Sequence, residues 1–290
     1  MAIKKVGVIG CGLMGHGIAQ VAAQAGFTVV VREAEQGALD KGLGRVTKSL
    51  AKLVEKEKLT QADADAAKGR LSGTLELGDL ADCDLIVEAI IEDLDIKKTL
   101  YAELGKLCKA ETIFASNTSS FPIREMGAAS GRPERMVGLH FFNPVQLMKL
   151  VEVVRTDATD AGVLAEARGF GEAVGKVPIT ANDTPGFVVN RLLVPYMAES
   201  MRLVERGDAS VPDVDTAMKL GCGYPMGPFI LTDYVGLDTT LSILEGWHAE
   251  YPNDPIFVPP QILKDKVAEG KMGRKTGEGF YKWDGDKPVA

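Results

Sequence analysis

Twelve positions separate a histidine and a glutamate that each sit in an apolar stretch: His140 in GLHFFNPV (138–145) and Glu152 in KLVEVV (149–154). Taken alone, His140 reads as a core histidine whose ring nitrogens find partners. Glu152 shifts that reading, because a carboxylate inside an apolar strand carries a burial penalty that a neighbouring imidazole relieves. If the two segments are adjacent strands ending at the same edge of a sheet, the carboxylate fixes the imidazole tautomer. It then stabilises the imidazolium formed when the ring takes a proton. Oxidising an alcohol needs such a base, since a hydride leaves carbon and a proton leaves oxygen.

A hydride acceptor is suggested by GCGLMG at 10–15. The motif follows VGVI, a strand pattern, and precedes HGIAQVAAQAG, a helical one; TVVVRE then supplies a second strand ending in an acid. Gly10 permits the tight turn, Gly12 lets the backbone approach a pyrophosphate, and Gly15 allows close packing of helix on strand, with Leu13 and Met14 completing the turn. At the end of the second strand, Glu33 can accept hydrogen bonds from adenosine ribose hydroxyls, which favours NAD(H). Arg32 beside it leaves NADP(H) open, because a guanidinium pairs with a 2′-phosphate. His16 reads as a phosphate neighbour or surface residue. In VEAIIEDLDIKK (87–98), Glu88, Glu92 and Lys97 follow a further strand, and each also fits a solvated helix start.

Positioning these groups calls for a sheet. Short β-rich runs at 6–10, 28–31, 84–90, 112–117, 136–142 and 150–154 alternate with helical patterns, which predicts a Rossmann-like, doubly wound, mainly parallel α/β fold. The charged stretch 36–70, with Leu50, Leu53 and Val54 at helical spacing, predicts a helical excursion. After ANDTPGF (181–187) apolar residues recur at 188, 189, 192, 193, 196, 197, 201 and 204, so an all-α domain is expected to begin here. Pro195 falls inside that helix. Further helices are expected over 211–220, with Pro212 in the first turn, and as one segment over 229–249. The predicted domains are 1–184 and 185–290.

The 290 residues suffice for two cores, and 46% hydrophobic with 25% charged residues is ordinary for a soluble globular protein. A net charge of −7 with scattered basic residues gives no broad footprint for nucleic acid. Apolar runs fall short of a membrane span. Cys11, Cys83, Cys108 and Cys222 lack metal-ligand spacing, so no metal is expected and the thiols read as free. Together with an N-terminus that enters a strand at once, this predicts a cytoplasmic protein.

GCGLMG, SNTSS (116–120), GLHFFNPV, MKLVEVV (148–154), DTPGFVVNRLL (183–193), GYPMGPF (223–229) and KTGEGFYKW (275–283) together closely resemble the L-3-hydroxyacyl-CoA dehydrogenases, including bacterial 3-hydroxybutyryl-CoA dehydrogenases. The resemblance spans almost the whole chain. It implies reversible NAD-dependent oxidation of (3S)-3-hydroxyacyl-CoA to 3-oxoacyl-CoA, with His140 as general base and Glu152 as its partner. It further implies that Ser119 hydrogen-bonds the substrate oxygen and that Asn190 lines the site from the second domain. Glu92, Lys97, Asn117 and Asn143 match cofactor contacts, Ser49 and Lys56 match contacts to the CoA nucleotide, and a homodimer is implied. The alternative in another class is a noncatalytic NAD(H)-binding redox sensor or structural protein on the same fold.

Overall fold

A computed structural model describes residues 3–289. The chain divides after Phe187 into two compact units. The first runs β1 (Lys5–Ile9), α1 (Gly15–Gln24), β2 (Thr28–Arg32), α2 (Gln36–Glu55), α3 (Gln61–Gly69), β3 (Leu71–Thr74), β4 (Leu85–Glu88), α4 (Leu94–Leu107), β5 (Ile113–Ser116), α5 (Ile123–Ser130), β6 (Met136–Phe141), β7 (Leu150–Arg155), α6 (Ala161–Ala173) and β8 (Val177–Asn182). These strands form one sheet in the order β3-β2-β1-β4-β5-β6-β7-β8.

The central strands are apolar along their length because both faces are covered. In β5, Ile113 and Ala115 join the core shared with α1, α2 and α6, whereas Phe114 between them joins the core with Tyr101 and Leu104 of α4 and Met126 of α5. Chain order reverses between β1 and β4, and such a switch point opens a crevice at the carboxyl ends of the strands. The register aligns Arg32, Ile9, Glu88, Ser116 and Gly138 in one row across the sheet near those ends.

The helical excursion consists of two helices, α2 and α3. Glu57 takes a positive φ of 54° just after α2, and Thr60 caps α3 by accepting the Asp63 N–H. It returns through β3, a short LSGT strand whose half-polar composition hides it in the sequence. All sheet neighbours are parallel except β6 and β7, which are antiparallel. The two strands bearing His140 and Glu152 therefore do not end at the same sheet edge. Their link, residues 142–149, is a hairpin connection, too short for the dozen or more residues of a parallel crossover.

The second unit contains α7 (Val189–Glu205), α8 (Val211–Cys222), α9 (Pro228–Val235), α10 (Leu237–Glu250) and α11 (Gln261–Ala268), followed by a small hairpin of β9 (Lys282–Asp284) and β10 (Lys287–Val289). Met197, Met201, Phe229, Leu244, Trp247 and Phe257 belong to its core. The single helix expected over 229–249 is broken at Gly236, whose φ of 103° lies outside helical space. Two buried aspartates fasten this unit. Asp215 accepts the N–H groups of Phe229 and Ile230 and the Tyr281 hydroxyl; Asp233 accepts the N–H groups of Phe280, Tyr281 and the Trp283 indole. The GYPMGPF and GEGFYKW segments thus meet through the Asp215 carboxylate, which neither segment supplies.

Candidate active site

On β6 and β7, register pairs His140 directly with Glu152. His140 Nδ1 donates to Glu152 Oε2 at 2.7 Å, and Glu152 is fully buried. Occupation of Nδ1 leaves Nε2 as the ring nitrogen for other partners. The imidazole packs against Phe142 and Phe187, with ring centroids 4.6 and 5.6 Å away. Those apolar walls keep water from competing for the ion pair that forms when the imidazole is protonated.

At the switch point, a cavity of about 540 Å³ is lined by Gly10, Gly12, Leu13, Met14, Arg32, Glu33, Glu92, Lys97, Asn117 and Thr118, among others. Its volume is in the usual range for a cofactor site. Gly10 has a φ of 89°, and a Cβ there would lie 2.6 Å from the Ala89 carbonyl oxygen. A Cβ on Gly15 would collide with the Gly10 carbonyl, so the turn admits only glycine at both places. At Gly12 a Cβ would meet nothing within 4 Å, which leaves the backbone bare on the open side. Glu33 Oε1 accepts the Cys11 N–H at 2.5 Å and Oε2 the Ala34 N–H at 3.2 Å, orienting the carboxylate at the cavity. Arg32 donates from Nε to the Leu75 carbonyl at 3.2 Å. Bare turn, helix start and oriented acid together fit a dinucleotide with free ribose hydroxyls. His16 turns back, its Nδ1 2.7 Å from the Gly12 carbonyl.

Between cavity and dyad lies the SNTSS turn that follows β5. Asn117 lines the cavity, and its Oδ1 accepts the N–H of Phe141, the residue after His140, at 3.0 Å. Ser119 donates its backbone N–H to Glu92 Oε1 at 3.2 Å, while its hydroxyl lies 3.2 Å from that of Ser120. Asp183 accepts the Ile123 and Arg124 N–H groups, anchoring the start of α5 just beyond this turn.

Other expected residues are placed separately. Asn143 is exposed in the loop after β6, next to a cis bond to Pro144, and is not among the cavity-lining residues. Ser49 lies on α2 and Lys56 just after its end, two turns apart. Asn190 is in the first turn of α7, in the second unit. Glu88 is the residue whose sequence reading changes most: it is no solvated helix start but a fully buried strand end. The signal was the same as for Glu152, an acid inside an apolar strand run. Lys176, buried just before β8, is another unanticipated participant. It donates to the Val145 and Met148 carbonyls and pins the loop that joins His140 to Glu152. Burial holds its ammonium pKa below the usual value.

Comparison with known proteins agrees with this architecture. The family model for the 3-hydroxyacyl-CoA dehydrogenase NAD binding domain matches residues 5–184, and that for the C-terminal domain matches 186–283. The human mitochondrial hydroxyacyl-coenzyme A dehydrogenase is 51% identical over 97% of this chain and 91% of that protein. A probable 3-hydroxybutyryl-CoA dehydrogenase of Deinococcus radiodurans is 50% identical over 96% of this chain and all of that protein. The crystal structure of (S)-3-hydroxybutyryl-CoA dehydrogenase from Ralstonia eutropha, 40% identical, superposes with a TM-score of 0.95 over 98% of this chain and all of that one. With both family domains matched in order and relatives alike over nearly their full length, the chain belongs to the 3-hydroxyacyl-CoA dehydrogenase family.

Proposed function

We propose that this protein catalyses the reversible NAD-dependent interconversion of (3S)-3-hydroxyacyl-CoA and 3-oxoacyl-CoA, acting on short chains such as 3-hydroxybutyryl-CoA and acetoacetyl-CoA. The observation that carries the reading is the buried His140–Glu152 pair, 2.7 Å apart, with His140 on the strand tied through Asn117 to the dinucleotide cavity. Bound NAD supplies the hydride acceptor. Nε2 of His140 takes the hydroxyl proton as C3 is oxidised, and Glu152 holds the Nδ1 proton and stabilises the imidazolium. In reverse, the imidazolium protonates the forming alkoxide. Reduction therefore needs the charged ring and oxidation the neutral one, so lower pH favours reduction kinetically.

Ser119 and Asn190 orient the substrate oxygen, since a hydroxyl and a carboxamide donate hydrogen bonds without competing as bases. Gly10, Gly12, Leu13, Met14 and Gly15 hold the pyrophosphate, Glu33 the adenosine ribose, and Glu92, Lys97 and Asn117 the nicotinamide ribose region, with Asn143 a further cofactor contact. Ser49 and Lys56 contact the CoA nucleotide. We assign residues 1–184 to cofactor binding and 185–290 to the substrate cleft and a homodimer interface. A cytoplasmic setting suits the four free cysteines; among the described residues no helix is long and apolar enough to cross a membrane.

The test mixes purified protein with acetoacetyl-CoA and compares oxidation of NADH with that of NADPH. NADH consumption that His140→Gln reduces by roughly 10²–10⁴-fold, with NADH still bound, is expected. Failure to oxidise either nucleotide would overturn the function, and near-native turnover of the variant would overturn the role of His140.

A further inference from the structure

We propose that Glu88 is a positioning residue, which sets both the lysine at the cofactor cavity and the turn that carries Ser119. Glu88 ends β4 and has no exposed surface. A carboxylate so placed is tolerable only when its oxygens are saturated by donors. Oε1 accepts Lys97 Nζ at 2.6 Å and the Ile90 N–H at 2.8 Å; Oε2 accepts the Ser116 hydroxyl at 2.6 Å. Lys97 is 1% exposed and also lies 3.2 Å from Glu92 Oε2.

The remaining contacts close a ring. Thr118 donates its hydroxyl to Glu92 Oε1 at 3.0 Å and its backbone N–H to Ser116 Oγ at 3.2 Å. Its hydroxyl oxygen in turn accepts the N–H groups of Ser120 and Phe121. Lys97, Glu92, Asn117 and Thr118 line the cavity, whereas Glu88 and Ser116 stand behind them. Glu88 therefore touches no ligand space, yet it fixes two things that do. One is the direction of the Lys97 ammonium. The other is the Asn117–Ser119 turn, which hangs from Ser116 directly across the sheet from Glu88. Without the carboxylate, the ammonium has only Glu92 to hold it, and the Ser116 hydroxyl loses its acceptor.

This proposal rests on the cavity being the NAD site, so its test reads nucleotide binding before turnover. NADH dissociation constants are measured by fluorescence titration without acyl-CoA for wild type, Glu88→Gln, Lys97→Met and the double variant, with melting temperatures alongside. Glu88→Gln keeps the shape and removes the charge. It is expected to weaken NADH about tenfold, with a rise in KM for acetoacetyl-CoA, because a misdirected ammonium and a loosened turn act on both ligands. Since Glu88 acts through Lys97, the double variant should bind NADH no worse than about twofold from the weaker single variant. Glu88→Asp, which keeps the charge on a shorter stem, should recover part of the loss. A brace with a purely structural role would lower the melting temperature and leave the dissociation constant and KM unmoved. A folded Glu88→Gln protein with native NADH affinity, or losses that multiply in the double variant, overturns the proposal. Where Glu88→Gln yields no folded protein, Ser116→Ala takes its place: an unchanged KM for acetoacetyl-CoA then overturns the proposal. Wild type that fails to bind NADH removes the cofactor reading itself, a result distinct from native binding by the variants.

Discussion

Each unit buries two acids, and they are neutralised in opposite ways. In the first unit, Glu88 and Glu152 face titratable side chains, Lys97 and His140. In the second, Asp215 and Asp233 face backbone N–H groups, a phenol and an indole. A carboxylate opposite an imidazole stabilises one protonation state of its partner, so it can take part in moving a proton. A carboxylate bound by amides has a partner that never changes charge, and it works as a fastener. Burial of an acid thus does not by itself mark a reactive site; the nature of the donor does.

The sharpest way to break this contrast is to neutralise one acid of each kind. Glu152→Gln keeps an acceptor for His140 Nδ1 but removes the charge that favours imidazolium, and should lower turnover roughly 10²–10⁴-fold with NADH affinity retained. Steady-state kinetics and nucleotide titration check it. Asp233→Asn turns an amide NH₂ toward N–H donors and should cost about 1–3 kcal/mol of stability, read by urea denaturation, without a specific loss of turnover per folded molecule. A stability loss from the first variant alone, or a catalytic loss from the second alone, would erase the distinction.

A smaller effect follows from protonation. Burial holds the Asp233 carboxyl above the ordinary carboxylate value, against the pull of its hydrogen bonds. The folded state then binds the proton more tightly than the unfolded state. Its titration contributes stability that is present below the unfolded pKa and lost as pH rises through the raised folded value. The stability gap between wild type and Asp233→Asn should accordingly be widest in acid and narrow to a constant level above that value, measured as unfolding free energy against pH. The smallest test concerns the thiols. Burial pushes Cys11 and Cys83 up to about 12 and Cys108 to about 11, while Cys222 in the second unit is exposed. Native protein at pH 8 should show one fast-reacting thiol, and Cys222→Ser should abolish it, as read by a colorimetric thiol reagent.

Much of the first unit was legible because its strands are buried on both faces and so read as unbroken apolar runs, with GCGLMG between two of them. β8 escaped because VPITAN mixes proline, threonine and asparagine into an edge strand, where only one neighbour and partial burial constrain composition. The His140–Glu152 contact was legible from two misplaced charges, but its antiparallel geometry was not, since charge pattern carries no strand direction. Glu88 was misread for a related reason: its partners Lys97 and Ser116 lie nine and 28 residues away, and only the parallel register brings Ser116 alongside. The break at Gly236 was hidden because apolar spacing continues across a residue whose backbone leaves the helix.

The hairpin that sets His140 against Glu152 also bears on how such chains can diverge. The register of a hairpin is set by its turn and loop length, and this loop is also held by the Lys176 ammonium on the Val145 and Met148 carbonyls, so residues gained or lost within 142–149 disturb the pairing of the two side chains as well as their spacing. A single residue lost between His140 and the start of its strand, or between Glu152 and the end of its own, shifts the phase by one and turns a side chain to the opposite face of the sheet. Loop and strands together therefore hold the twelve-residue interval that sets His140 against Glu152.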